Sequence, residues 1–113
     1  MINKSYLKLN LSQEDWSFKL SQDDNAVVLD VRTLDELKTT GIIPGAVHLD
    51  FYLGHHFIEE LETLERDKNY YVYCRSGVRS AQTCGMLNNI GIANAFNLTG
   101  GILEWQGELK PYN

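Results

Sequence analysis

The residues best suited to chemistry lie in one short segment, VYCRSGVRS, which runs from Val72 to Ser80. An apolar stretch ends there on Cys74, one of only two cysteines in the chain, and Arg75 and Arg79 follow it. Cations and helix N-termini lower a cysteine pKa to roughly 3.5–7.5, which makes the thiolate available as a nucleophile at neutral pH. Arginine also presents planar donors that suit oxyanions. The segment therefore predicts a reactive thiolate that meets an anionic substrate.

The residues that follow the cysteine have the composition of a tight anion-binding loop. We predict Cys74 as the catalytic nucleophile and the following loop residues as substrate-binding: Arg75, Ser76, Gly77, Val78 and Arg79. Gly77 allows the backbone to curl, and a turn from strand to helix directs amide N–H groups and the helix dipole at a bound anion. The alternative is an inert thiol at a strand end beside surface arginines. Arginine, serine and glycine neighbours are unusual around an inert core cysteine, which disfavours this alternative.

Apolar runs and amphipathic segments alternate along the chain, which predicts an α/β fold with a mainly parallel sheet. The predicted strands are Ser5–Leu9, Ala26–Val31, Ala46–Leu49, Tyr70–Cys74 and Ala95–Leu98. The predicted helices begin at caps Ser12 and Thr33 and near His55, follow the cysteine loop from Arg79 to Gly91, and end the chain from Gly100. In such sheets ligands bind outside the carboxyl ends of the strands, and Cys74 lies at one of these ends.

The spacing between the cysteine and the second arginine separates two chemistries. Cysteine phosphatases hold phosphate in a similar loop that is one residue longer, whereas Arg79 is only five positions after Cys74. A five-coordinate phosphorus needs more room than a sulfur atom under attack. The shorter loop therefore favours sulfur transfer over phosphatase or arsenate reductase chemistry.

Three separated motifs make a resemblance specific. CRSGVRS (74–80), LDVRTLDELKTTGIIPGAVHL (29–49) and NLTGGILEW (97–105) resemble, in order, the motifs of single-domain rhodanese-type sulfurtransferases. The resemblance covers roughly residues 27–107. It implies one domain over residues 1–113, with a five-stranded, mostly parallel sheet and helices on both faces.

The resemblance also implies a reaction. A donor such as thiosulfate would pass a sulfane sulfur to Cys74, and the persulfide would pass it to a thiophilic acceptor. That acceptor is cyanide in an assay and a thiol or protein in the cell. Thiolate attack on sulfur needs no metal and no organic cofactor. The alternative is a non-catalytic rhodanese-like module that binds a partner or senses redox state, although the intact Cys74 favours an enzyme.

Two positions depart from the family pattern. Ile42 stands where the family usually has His, and Ser76 stands where the well-studied tandem enzymes carry Lys. The second departure weakens thiosulfate as the physiological donor. We expect an open site that suits exchange with a small or protein thiol.

Composition excludes several other functions. A net charge of −5 argues against nucleic acid. The first 30 residues contain no unbroken apolar stretch of signal-peptide length, and no segment is apolar over the length of a membrane span. We therefore expect a cytoplasmic protein with no membrane partner. His55 and His56 lack further ligands at metal-site spacing.

Structural roles are expected for two other residues. Arg32 should pair with Asp35 or Glu36. Cys84 should be buried and inert, because it lies about two helical turns beyond the loop. That separation is of order 10 Å, too far for a disulfide with Cys74, which needs Cα atoms within about 7 Å.

Overall fold

A five-stranded sheet in which every neighbouring pair is parallel forms the centre of the computed structural model, which describes residues 9–113. The strands are β1 (Asn10–Leu11), β2 (Ala26–Asp30), β3 (Val47–His48), β4 (Asn69–Tyr73) and β5 (Ala95–Leu98), in the order β1-β5-β4-β2-β3. The helices are α1 (Gln13–Ser21), α2 (Leu34–Thr40), α3 (His55–Glu62) and α4 (Val78–Asn89). Single 3₁₀ turns cover Phe51–Leu53 and Gly101–Glu104.

The predicted fold class is confirmed, with small shifts in where elements begin and end. The strand expected at Ser5–Leu9 lies outside the described residues except for Leu9, and the first described strand is β1. The last predicted helix is a 3₁₀ turn rather than an α-helix.

Alternating side chains of β4 give the sheet two apolar faces. Tyr70 and Val72 lie in one core cluster with α3 and α4, which supply Phe57 and Leu87. Tyr71 and Tyr73 lie in a second cluster, which Trp16 of α1 joins from the opposite face. Helices therefore cover both faces, which explains why the central strands are apolar almost throughout.

Local capping fixes where two helices begin. The Ser12 hydroxyl accepts a hydrogen bond from the Asp15 N–H at 3.1 Å. Thr33 and Glu36 form a complete capping box, in which each side chain accepts from the other residue's backbone N–H. Such a cap stabilises a helix by about 1 kcal/mol, and both caps agree with the sequence-based prediction.

A buried ion pair ties β2 to the chain that follows it, and its partner differs from the prediction. Arg32 pairs with Asp30, not with Asp35 or Glu36: its Nη2 donates to Asp30 Oδ2 at 2.7 Å, and both side chains are almost fully buried. Asp30 ends β2 two residues earlier, so both side chains reach the same side of the chain. Arg32 also donates to Thr40 Oγ1 and to the Gly41 carbonyl, which anchors the end of α2.

No helix in residues 9–113 is long and apolar enough to cross a membrane. Within the same residues, no three His, Cys, Asp or Glu side chains come together as a metal site would require.

Candidate active site

Cys74 follows β4, the central strand of the sheet, and its side chain turns into the loop that leads to α4. The residue is only 1% exposed. Its Sγ accepts hydrogen bonds from the Gly77 N–H at 3.1 Å and the Ser80 N–H at 3.4 Å. The Ser80 hydroxyl lies 3.3 Å from the same sulfur. The loop therefore surrounds the sulfur with donors, as an anionic sulfur requires.

These donors decide the ionisation of the thiol. Burial raises the pKa of Cys74, but hydrogen bonds from the Ser80 hydroxyl and from the amides of Ser80, Gly77 and Ser76 outweigh it, so the pKa is lowered. The direction agrees with the prediction. The main cause is hydrogen bonding rather than the charge of the two arginines.

The loop depends on a backbone conformation that favours glycine. Gly77 has φ of 102° immediately before α4, and this left-handed turn aims its N–H back at the sulfur. A Cβ at this position would also lie 3.2 Å from the Gly100 nitrogen. The sequence-based role of Gly77 as the point where the loop curls agrees with this geometry.

The 3₁₀ turn after β5 fastens the loop from the other side. The Ile102 N–H donates to the Cys74 carbonyl at 2.9 Å, and the Leu103 N–H donates to the Arg75 carbonyl at 3.1 Å. Gly101 makes this approach possible, because a Cβ there would lie 2.3 Å from the Arg75 carbonyl oxygen. The NLTGGILEW motif thus holds the nucleophile's backbone.

Asn97 of β5 is a part of the site that the sequence analysis did not assign. It is 3% exposed, and its Oδ1 accepts from the Ser80 hydroxyl at 2.5 Å. Its Nδ2 donates to the Gly77 carbonyl at 3.1 Å and to Asn10 Oδ1 at 2.8 Å. Asn97 therefore holds Ser80 and Gly77, two of the residues that donate to the sulfur. The available signal was a polar residue inside the apolar strand AFNL.

The predicted substrate-binding residues have different surroundings. Arg75, Ser76 and Val78 are exposed at the loop surface, while Gly77 is buried beneath it. Arg79 is not free. Its Nη1 and Nη2 donate to Glu36 Oε1 and Oε2 at 2.8 and 2.9 Å. The hydrogen bond from Arg79 holds the pKa of the Glu36 carboxyl down at about 2.

A mainly apolar cleft of about 250 Å³ adjoins the loop. It is lined by Arg32 and Arg75, by Ile102 and Leu103 of the 3₁₀ turn, and by the side of α2 that carries Asp35, Glu36, Thr39 and Thr40. Leu103 is 59% exposed, so the cleft is open to solvent on that side. An organic group attached to a reacting sulfur could lie there.

The second cysteine lies in the core. Cys84 of α4 is fully buried, and both cysteines are free thiols. Burial, and then the charge of Cys74, raises the pKa of Cys84 to about 12. The prediction that Cys84 is buried is confirmed, and a thiol of this kind is inert at neutral pH.

Comparison with known proteins identifies the family. The family model of the "Rhodanese-like domain" matches residues 14–108. The chain belongs to the rhodanese-like domain family. It is 41% identical over 95 residues to "Putative sulfurtransferase YtwF" of Bacillus subtilis, covering 84% of this chain and 87% of that protein. It is 34% identical over 95 residues to a "Sulfurtransferase" of Allochromatium vinosum, covering 84% and 85%.

Solved rhodanese-like structures share the fold. The crystal structure of a rhodanese-like domain protein from Staphylococcus aureus superposes with a TM-score of 0.76 and 28% identity, covering 92% of this chain and 98% of that one. The sequence-based resemblance to rhodanese-type sulfurtransferases is therefore confirmed at the level of family and fold.

Proposed function

We propose that this protein is a sulfurtransferase in which Cys74 carries a sulfane sulfur as a persulfide. The observation that carries the proposal is the ring of donors around Cys74 Sγ, formed by two backbone amides and the Ser80 hydroxyl. Donors fixed in advance stabilise a developing anion without reorganisation. Membership of a family whose curated relatives carry the name sulfurtransferase supports the same reaction.

The reaction would proceed in two balanced steps. The Cys74 thiolate attacks the outer sulfur of thiosulfate, the S–S bond of the donor breaks, and sulfite leaves with the electron pair. The persulfide anion then gives its outer sulfur to a thiophilic acceptor, and the thiolate is restored. Cyanide would become thiocyanate in an assay, and a thiol would become a persulfide in the cell.

The loop from Arg75 to Arg79 would receive the donor. The amides of Ser76 and Gly77 face the sulfur side of the loop, and the exposed Arg75 supplies a positive charge beside the nucleophile. We also propose that the protein works in the cytoplasm, because two free thiols suit a reducing compartment.

Intact mass spectrometry tests the central step. Wild-type protein incubated with thiosulfate should gain one sulfur atom, mapped to the peptide that contains Cys74, and should turn over cyanide. Cys74→Ser should fold normally and do neither, because a serine hydroxyl cannot form a persulfide. Cys84→Ser is the matched control and should still gain the sulfur.

The competing function is a non-catalytic binding or redox-sensing module. A wild-type protein that never acquires sulfur from thiosulfate or from a persulfide, while Cys74 still alkylates readily, would favour that module. Phosphatase turnover by the wild type would instead favour the chemistry of the cysteine phosphatases, whose loop is one residue longer.

A further inference from the structure

Arg79 already has an anionic partner within the protein. The bidentate contact with Glu36 joins α4 to α2, and the two side chains are only 14% and 25% exposed. Two parallel hydrogen bonds between a guanidinium and a carboxylate make a strong and directional pair. The pair has no net charge at the position where Arg79 would otherwise meet an anionic substrate.

The other charged side chains near the loop do not replace the positive charge that Arg79 loses by pairing with Glu36. The buried Arg32 is neutralised by Asp30. Asp35 adds a carboxylate to the cleft that adjoins the loop. Among the described residues, Arg75 is the arginine of the loop whose side chain forms no hydrogen bond or ion pair. A donor that approaches Cys74 therefore meets one unpaired cation beside a thiolate.

Donors differ in how much they depend on a second cation. Thiosulfate is a dianion, so its reaction with the Cys74 thiolate brings three negative charges to one site. An organic persulfide RSS⁻ brings two, and protonated RSSH brings one. Charge repulsion between close groups grows with each added charge. Neutralising Arg79 therefore weakens the site for thiosulfate more than for a persulfide.

We propose that Glu36 is a specificity-determining residue: by pairing with Arg79 it disfavours dianionic donors and leaves organic persulfides as the preferred class. The proposal rests on the sulfurtransferase function above. The thiolate attacks the outer sulfur of RSSH, the S–S bond breaks, RS⁻ leaves with the electron pair, and Cys74 becomes a persulfide with no net oxidation. The group R would lie in the cleft beside Ile102 and Leu103, which Arg75 of the loop also lines.

The substitution Glu36→Gln tests this with little risk to the fold. Glutamine at this position can still complete the capping box with Thr33, but it carries no charge. Released from its partner, Arg79 should raise kcat/KM for thiosulfate by about five- to tenfold at low ionic strength, mostly through KM. The probe persulfide is that of 2-mercaptoethanol, which carries no other charge, and its kcat/KM should rise by only about twofold or less.

Two controls test whether the effect comes from the Glu36–Arg79 pair or only from the change in the protein's net charge. Glu62→Gln removes an exposed carboxylate of α3, away from the loop, and should leave the ratio of the two kcat/KM values unchanged. The double variant Glu36→Gln/Arg79→Gln replaces a neutral pair with two neutral side chains. Its kcat/KM for thiosulfate should lose the gain seen in Glu36→Gln alone, because that gain depends on the positive charge of the released Arg79.

The possible outcomes distinguish this inference from the proposed function. If folded Glu36→Gln, checked by its melting temperature, shows unchanged or reduced kcat/KM for thiosulfate, the specificity role of Glu36 is wrong while the persulfide on Cys74 stands. If the wild type takes sulfur from neither donor, the proposed function fails instead. If Glu36→Gln does not fold, Arg79→Gln provides the test instead. The unpaired Glu36 carboxylate should then lower kcat/KM for thiosulfate more than kcat/KM for the persulfide. An equal loss for both donors would refute the proposal.

Discussion

The Ser80 hydroxyl lies 3.3 Å from the Cys74 Sγ and 2.5 Å from the Asn97 Oδ1, so one proton faces two acceptors. With Cys74 as a thiolate, the hydroxyl can turn to the sulfur. In a persulfide the negative charge moves to the outer sulfur, and the hydroxyl can return to Asn97. Burial raises the pKa of the Cys74 thiol, and the Ser80 hydroxyl makes the largest opposing contribution.

Removing that hydroxyl should make the thiol less acidic. In Ser80→Ala the pKa of Cys74 should rise, so the rate of iodoacetamide alkylation should reach its midpoint at higher pH than in the wild type. The variant also leaves Asn97 Oδ1 without its donor, which should lower the free energy of unfolding by about 1–3 kcal/mol. Stopped alkylation reactions across a pH series measure the first effect, and urea denaturation measures the second.

A hydroxyl on the same helix provides the control. Thr83 is buried one turn beyond Ser80 and donates to the Arg79 carbonyl at 2.9 Å, not to the sulfur. Thr83→Val should therefore leave the alkylation midpoint unchanged. A midpoint in Ser80→Ala at or below the wild-type value would mean that the hydroxyl serves Asn97 alone.

Gly101 should be essential for the shape of the loop. In Gly101→Ala the new Cβ would lie within 2.6 Å of the Cys74 and Arg75 carbonyl oxygens, at a φ of 59°. The backbone of the loop must move to relieve this contact, and the amides that face the sulfur move with it. We expect sulfurtransferase activity to fall by at least tenfold, since loss of one fixed donor alone costs about 10²–10³ in other oxyanion sites.

Gly45 provides a control for Gly101→Ala, because a substitution there introduces backbone strain without a steric clash. It has φ of 84°, and a Cβ there would meet nothing within 4 Å. Gly45→Ala should lower the free energy of unfolding by about 1–2 kcal/mol and leave the turnover of folded protein unchanged. Equal activity in both variants would contradict the role assigned to Gly101.

The sequence predicted those features that local rules determine. The apolar runs of β2, β4 and β5 and the caps at Ser12 and Thr33 depend on residues that are close in the chain. The position of Cys74 at a strand end follows from the same local pattern.

The contacts that define the site are not local, and this is why they were missed. Glu36 is the third residue of α2, where it completes the capping box with Thr33, and its second partner, Arg79, is 43 positions away. The same carboxylate oxygen accepts from both the Thr33 N–H and Arg79. Arg32 is a different case, because its partner Asp30 is only two residues away: the predicted pairing with Asp35 or Glu36 was wrong although the observed contact is local.

The Asp30–Arg32 pair should stabilise the fold and take no part in sulfur transfer. Arg32→Met would leave the Asp30 carboxylate buried without its partner, which typically costs about 3–5 kcal/mol. Urea denaturation should show this loss, while turnover per folded molecule should stay near the wild-type value. The double variant Asp30→Asn/Arg32→Met should recover part of the stability. A selective rise in KM without a loss of stability would instead give Arg32 a place in substrate binding.

Cys84 should be chemically silent, and this separates an enzyme with one nucleophile from a redox sensor with two thiols. Burial, followed by the charge of Cys74, raises the pKa of Cys84 to about 12, so it remains a thiol at neutral pH. Native protein treated with iodoacetamide at pH 7 should therefore gain one carbamidomethyl group, on Cys74, and urea-unfolded protein should gain two. Cys84→Ala should keep full sulfur transfer and lose about 1–2 kcal/mol of stability through the small cavity. Peptide mapping after mild oxidation checks the alternative. A Cys74–Cys84 disulfide would contradict the separation of the two thiols and support redox sensing.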